Sequence, residues 1–194
     1  MGSRSGRIFR ETKETQIELS ILIDGVGAFE GGTGIGFFDH MLTLLAFYGG
    51  FDLRISATGD LETGSHHTVE DIGLSLGQAF KNAIGDKKGI ERYSQCLLPM
   101  DEVLSRCVLD ISGRPTYIQR CEFRRTDIGG LALEDVDEFF KSLCNSAGWT
   151  LHTEVLYGDN DHHKVESLFK GVGRCIKQSL TVTSGSIPST KGVL

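Results

Sequence analysis

DHMLTLLAFYGGFDL, from Asp39 to Leu53, and DEFFKSLCNSAGWTL, from Asp137 to Leu151, are the stretches that decide the fold. At a constant offset of 98, Asp39 falls on Asp137, Gly50 on Gly148, Phe51 on Trp149 and Leu53 on Leu151. Each stretch is followed by a second matching pair, HHTVED (His66–Asp71) and HHKVES (His162–Ser167), at an offset of 96. A difference of two residues in one loop accounts for the slip. One short match carries little weight. A helix, a glycine turn, a strand and a motif repeated in the same order indicate an internal duplication.

Working outward, Ile17, Leu19, Ile21 and Ile23 alternate as in a half-buried strand. Residues 38–48 read as a helix stopped by Gly49-Gly50, residues 51–58 as a strand, and Thr63-Gly64-Ser65 as a loop leading into a helix at about 66–84. That helix carries the apolar stripe Val69, Ile72, Leu76, Ala79, Phe80. Strands are expected at 93–98, 103–111 and 115–123, then a helix at 134–147, a strand at 149–157 and a helix at 162–180. The expected class is α+β: two sheet-and-helix halves related by a pseudo-twofold axis. One domain covers 1–194, with repeats at about 7–98 and 99–182 and a polar C-terminal tail at 183–194.

The 194 residues are 39% apolar, enough for a packed core, with a net charge of −6. That balance argues against a nucleic-acid partner, which needs a basic face. No run of about 18 apolar residues crosses a membrane, and Met1–Arg10 lacks the apolar region of a secretory signal. The five cysteines show no Cys-x-x-Cys spacing, which reads as reduced, buried thiols in the cytoplasm.

Histidine is distributed far less evenly: four of the six fall in the pairs His66-His67 and His162-His163. Residues four apart share a helix face, so His66 with Glu70 and His162 with Glu166 point the same way. His67 and His163 are turned by about 100°, so each motif serves two different metals. His40 and its repeat partner Glu138 bring the set to eight candidate ligands, four for each of two ions. Nitrogen and oxygen donors without sulfur suit an octahedral ion such as manganese or iron, with positions open for substrate. Lys170 continues the His162–Glu166 face, whereas the matching position in the first half is Leu74. His152, the partner of Arg54, reads as a surface or core histidine.

These segments closely resemble the imidazoleglycerol-phosphate dehydratase family. The resemblance runs from RETKET (Arg10–Thr15) through FFDHML (from Phe37), SHHTVED (from Ser65), PMDEVLSR (from Pro99), DISGRP (from Asp110) and NDHHKVESLFK (from Asn160) to PSTKG (Pro188–Gly192). It implies a lyase of L-histidine biosynthesis that dehydrates D-erythro-imidazoleglycerol phosphate to imidazoleacetol phosphate. It also implies two Mn2+ per active site and a shell of twenty-four identical subunits with sites shared between them. Ligand roles carry over to His40, His66, His67, Glu70, His162, His163 and Glu166. The family usually has His where Glu138 stands; either the carboxylate ligates or water replaces it. Glu14 is implied as the proton-transfer group, with a metal-bound water as the competing base. Arg92, Arg114, Lys170 and the tail residues Ser189, Thr190 and Lys191 are implied to hold the phosphate, a tail expected to order only with ligand. Two other readings of the same His and Glu residues stay open: a dinuclear metallohydrolase such as a phosphatase, and an assembly protein stapled by metal.

Overall fold

The computed structural model describes residues 3–183 and 185–192. The first half consists of β1 (Ser5–Glu11), β2 (Thr15–Leu22), β3 (Phe29–Gly32), α1 (Gly36–Gly49), β4 (Asp52–Gly59) and α2 (His66–Ile84). The second consists of β5 (Tyr93–Met100), β6 (Val103–Asp110), β7 (Thr116–Arg120), β8 (Asp127–Ile128), β9 (Leu131–Ala132), α3 (Glu134–Ala147), β10 (Thr150–Tyr157) and α4 (Asp161–Ser179). The sheets are ordered β1-β2-β4-β3 and β5-β6-β10-β7. In each, the last strand is parallel to its neighbour and the other pairings are antiparallel. With the small β8–β9 ribbon set aside, the two halves have the same element order and the same sheet topology. The class is α+β with an internal duplication.

Local chemistry explains these elements. Along β2, Ile17, Leu19 and Ile21 are buried while Gln16 and Glu18 face outward, the period-two pattern of a sheet with one covered face. Helices α1 and α3 both end at a left-handed glycine, Gly50 at φ 66° and Gly148 at φ 72°, a conformation that only glycine adopts without cost.

The helices fill the space between the sheets. α2 lies on β1 and β2, α4 on β5 and β6, and the packing is exchanged between halves: α1 against α4, α3 against α2. Both halves contribute to one core, in which Phe139 and Phe169 stack at 5.4 Å. The exchanged contacts repeat nearly atom for atom. A Cβ on Gly77 would meet Leu143 O at 2.4 Å, Ser146 Cβ at 2.8 Å and Ala147 N at 2.9 Å. On Gly173 it would meet Leu45 O at 2.8 Å, Gly49 N at 3.1 Å and Tyr48 Cβ at 3.2 Å. Leu45, Tyr48 and Gly49 are the repeat partners of Leu143, Ser146 and Ala147. The same holds at the sheet: a Cβ on Gly6 would meet Ala79 O at 2.2 Å, and its counterpart Ser94 donates its Oγ–H to Cys175 O at 2.9 Å.

Some expectations shift. Strands β1, β3, β8 and β9 are additions to the expected elements. β1 and β3 are edge strands, and the Glu-Gly-Gly end of β3 has no apolar alternation. The strand expected at 115–123 ends at Arg120, after which the chain turns toward β8. By strand order the second half opens at Tyr93, upstream of the division expected near 98–99. All five cysteines are free; Cys107, Cys144 and Cys175 are buried, Cys96 and Cys121 half-buried.

Of the tail expected at 183–194, residues 184, 193 and 194 lie outside the described residues. The remainder folds back on the segment before β5: beside the Val182–Ile90 bridge, Thr183 N–H donates to Gly89 O and Gly89 N–H to Ser186 O, both at 2.8 Å.

Candidate active site

The second motif opens α4. Asn160 caps that helix by accepting the His162 N–H at 3.0 Å, so the two histidines start the first turn. His162 Nε2 lies 3.2 Å from Glu166 Oε2, and His40 Nε2, from α1, lies 3.8 Å from the same oxygen. The ligand atoms of His40, His162 and Glu166 fall within 4.8 Å of one another, so the structure brings these three together. The crossing of α1 over α4 is what delivers His40. Behind Glu166, Lys170 Nζ stands 2.5 Å from Oε1. Burial raises the Glu166 pKa, but the Lys170 ammonium, His40 and His162 together hold the carboxyl below the ordinary value.

The first motif opens α2, and its set is more open. His66 Nε2 is 4.0 Å from Glu70 Oε2. Glu138, on α3 in the place of His40, is turned away: it accepts from Lys141 Nζ at 2.9 Å and from Ser142 Oγ at 3.2 Å. The structure therefore does not gather Glu138 with His66 and Glu70. Ser65 precedes α2 but makes no side-chain cap; its hydroxyl donates to Asp135 Oδ2 at 2.5 Å.

His67 and His163 point away from both sets. His67 Nδ1 is 3.0 Å from Asp60 Oδ2 and 3.9 Å from Glu14 Oε2. The Asp60 carboxylate holds the imidazole above the ordinary histidine pKa. His163 Nδ1 is 2.8 Å from Glu102 Oε2, and this contact with the Asn160 N–H holds Glu102 down to about 2. Glu14 and Glu102 both sit in the turn of the first hairpin of their half, so the duplication extends to these carboxylates.

Comparison with known proteins places this arrangement. The family model for imidazoleglycerol-phosphate dehydratase matches residues 33–176. The chain is 52% identical over 194 residues to imidazoleglycerol-phosphate dehydratase from Azorhizobium caulinodans, covering 98% of each chain. It is 49% identical over 191 residues to that of Clostridioides difficile, covering 98% of this chain and 100% of the relative. The crystal structure of the Staphylococcus aureus enzyme superposes with a TM-score of 0.84 at 38% identity, covering 92% of this chain and 99% of that one. The Pyrococcus furiosus enzyme, crystallised in complex with (S)-C348, gives 0.83 at 38% identity, covering 96% and 100%.

The chain belongs to the imidazoleglycerol-phosphate dehydratase family.

In this member of the dehydratase family the candidate phosphate ligands form a separate group. Arg92 is 7% exposed; its Nε donates to Asp110 Oδ1 at 2.7 Å and its Nη1 to Pro188 O at 2.9 Å. Arg114 Nη2 reaches Asp110 Oδ2 at 3.8 Å, and Ser189, Thr190 and Lys191 follow Pro188 in the tail. Lys170 is the exception, since it lies at the His40–His162–Glu166 set. The Arg92 N–H donates to Ser179 O at the far end of α4. Glu166 and Ser179 are about 20 Å apart along the helix axis. Within one chain Arg92 with its tail partners and the His40–His162–Glu166 set thus stand at opposite ends of α4.

Asp135, Asp60 and Glu102 were outside the expected site. Asp135 had a signal in the sequence: it is the repeat partner of Phe37, a charge in place of a ring. Glu102 had one only through hairpin register. Asp71, which is Ser167 in the second motif, accepts from Thr15 Oγ1 at 2.5 Å and pairs with Arg10 at 2.8 Å, tying α2 to the first hairpin. His152 lies on the outer face of β10, exposed and apart from both motifs.

Proposed function

We propose that this protein dehydrates D-erythro-imidazoleglycerol phosphate to imidazoleacetol phosphate in L-histidine biosynthesis, and that it does so with divalent transition-metal ions, two Mn2+ per active site. The observation that carries the metal dependence is the convergence of His40, His162 and Glu166 within 4.8 Å, in a chain of this family. The donors fit such an ion: two imidazole nitrogens and a carboxylate oxygen, with no thiolate. His40, His162 and Glu166 would hold one ion, and His66 and Glu70, joined by Glu138 once it leaves Lys141, the other. When bound, the ions supply Lewis acidity that favours the imidazolate form of the substrate ring.

The remaining steps fall to side chains. The hydrogen lost from carbon is not beside a carbonyl, so the ring handles the charge. As imidazolate it would supply the electron pair that expels the hydroxyl from the adjoining carbon, the hydroxide leaving as water with a proton from solvent. It would take an electron pair back when the next carbon is deprotonated. Glu14, half-exposed at the hairpin turn beside His67, takes the proton from the next carbon; the resulting enol tautomerises to the ketone. Arg92, Arg114, Ser189, Thr190 and Lys191 bind the phosphate, with guanidinium forks and hydroxyls matched to its oxygens. Because that group lies about 20 Å from Glu166 along α4, one substrate meets both only where two copies adjoin. The outward turn of His67 and His163 supports the same arrangement, each completing an ion site on a neighbouring copy. We therefore infer a homo-oligomer, the twenty-four-subunit shell of the resemblance, acting in the cytoplasm. Among the described residues no helix is long and apolar enough to cross a membrane.

The test uses the full chain stripped of metal with a chelator. Turnover of imidazoleglycerol phosphate, followed as ketone absorbance, should vanish on stripping and return with Mn2+. Phosphate release without ketone would identify a phosphatase, and full turnover without metal would remove the ions from the mechanism.

A further inference from the structure

His66 and His162 are repeat partners, yet what stands behind each differs. Asp135 Oδ1 lies 3.0 Å from His66 Nδ1, and Asp135 is 1% exposed. Its repeat partner Phe37 instead places its ring 4.9 Å from that of His162. Among the described residues, His162 has Glu166 as its carboxylate partner, through Nε2, and none at Nδ1. The opposing cations differ too. Lys170 is confined beside Glu166: its side chain is 14% exposed, with Met100 Sδ at 3.4 Å and the Tyr48 ring at 5.6 Å. Lys141, the cation on Glu138, is 52% exposed and free to swing into water.

We propose that the two ion sites are unequal in strength. His66, Glu70 and Glu138, backed by Asp135, form the tight site; His40, His162 and Glu166, opposed by Lys170, form a weaker, exchangeable one. The proposal rests on the metal-dependent function above and assigns different duties to the halves of the duplication. Three carboxylates against one ammonium leave the first set at −2, while Glu166 against Lys170 leaves the second at zero. A carboxylate on Nδ1 presents Nε2 as the free donor and makes the ring a stronger ligand. Releasing Lys141 from Glu138 costs little, because exposed ion pairs are weak. Lys170 has no such exit and competes with an ion for the same carboxylate. The second set is the more closed, at 3.2 Å between His162 and Glu166 against 4.0 Å between His66 and Glu70. That gap is a rotation of partly exposed side chains, a smaller effect than two charges. His67 and His163 do not separate the sites, since each is backed by a carboxylate, Asp60 at 3.0 Å and Glu102 at 2.8 Å.

The test is calorimetric titration of Mn2+ into the metal-free full-length protein. Two classes of site should appear, at least about tenfold apart. Asp135→Asn keeps an acceptor for His66 but removes the charge; it should weaken the tight class by about 10- to 100-fold and leave the weak class unchanged. In the 15N spectrum the His66 ring nitrogens should shift while those of His162 stay in place, a site-specific change that general destabilisation does not produce. If Asp135→Asn does not fold, Lys170→Met serves instead and should tighten the weak class alone, narrowing the gap. Equal classes in the unmodified protein, or equal weakening of both by Asp135→Asn, would overturn the proposal and leave the metal-dependent function standing. Absence of any binding would overturn both.

Discussion

Single residues carry most of the chemistry, and their surroundings decide what each does. Glu14 is exposed and lies 3.9 Å from His67 Nδ1, outside both the His40–His162–Glu166 and the His66–Glu70 sets. Glu14→Gln should therefore lower kcat by about 10²- to 10⁴-fold while metal content and oligomer size, measured by atomic absorption and light scattering, stay unchanged. Full activity would remove Glu14 from the reaction. Asp52 works for the fold. Its carboxylate accepts the N–H groups of Ala28 at 3.0 Å and Val26 at 2.8 Å, which hold its pKa below the usual range. A depressed carboxyl contributes stability above its unfolded pKa and loses it as pH falls through the folded value. Compared with Asp52→Asn, the unmodified protein should show a constant melting-temperature advantage above about pH 5 that shrinks below about pH 4. A difference that persists unchanged to acid would refute the role. Residues of both kinds were unevenly legible. His66, His162 and their glutamates stood out through spacing. Asp52 did not, because its partners are backbone groups brought in by the turn before β3.

At the scale of elements, the crossing of α1 over α4 and of α3 over α2 positions the motifs, and two glycines set how closely those helices approach. A methyl on Gly77 or Gly173 would overlap backbone atoms of the facing helix, and backbone cannot move aside as a flexible side chain can. Gly77→Ala and Gly173→Ala should each cost about 1–3 kcal/mol, read in thermal unfolding as a drop of roughly 2–4 °C per kcal/mol. Gly85→Ala is a useful contrast: there is open space around it, but its φ of 63° strains any side chain. A neutral Gly173→Ala would mean that α1 and α4 are less tightly apposed than described. The helices and inner strands were readable from periodicity. β1 and β3 were not: α2 covers β1 at Gly6 and the half-buried Ile8, and β3 ends in Glu-Gly-Gly, so neither strand carries enough apolar side chains on its covered face to show alternation.

The whole molecule separates the two groups of side chains that the proposed reaction calls on. Arg92 and the tail lie at one end of α4, His162 and Glu166 at the other. If one site draws on two copies, Arg92→Ala and Glu166→Gln should each be nearly inactive alone. Chains of the two variants, unfolded and reassembled together, should then regain activity, because some sites pair an intact Arg92 with an intact Glu166. Mixed assemblies no more active than the separate variants would place the complete site within one chain.

The sequence by itself determined the duplication, the α+β class, the two His-His-x-x-Glu faces and the family. All of these follow from order and spacing along the chain, and helical periodicity converts spacing directly into a shared face. Only the tertiary structure decided which residues meet across elements. His40 joins His162 and Glu166 because α1 crosses α4, Glu138 turns to Lys141 and Ser142, and Asp135 backs His66 where Phe37 faces His162. These contacts depend on helix crossings and side-chain rotations, which a one-dimensional offset does not encode. The repeat aligned His40 with Glu138 as equals; packing and charge made them different.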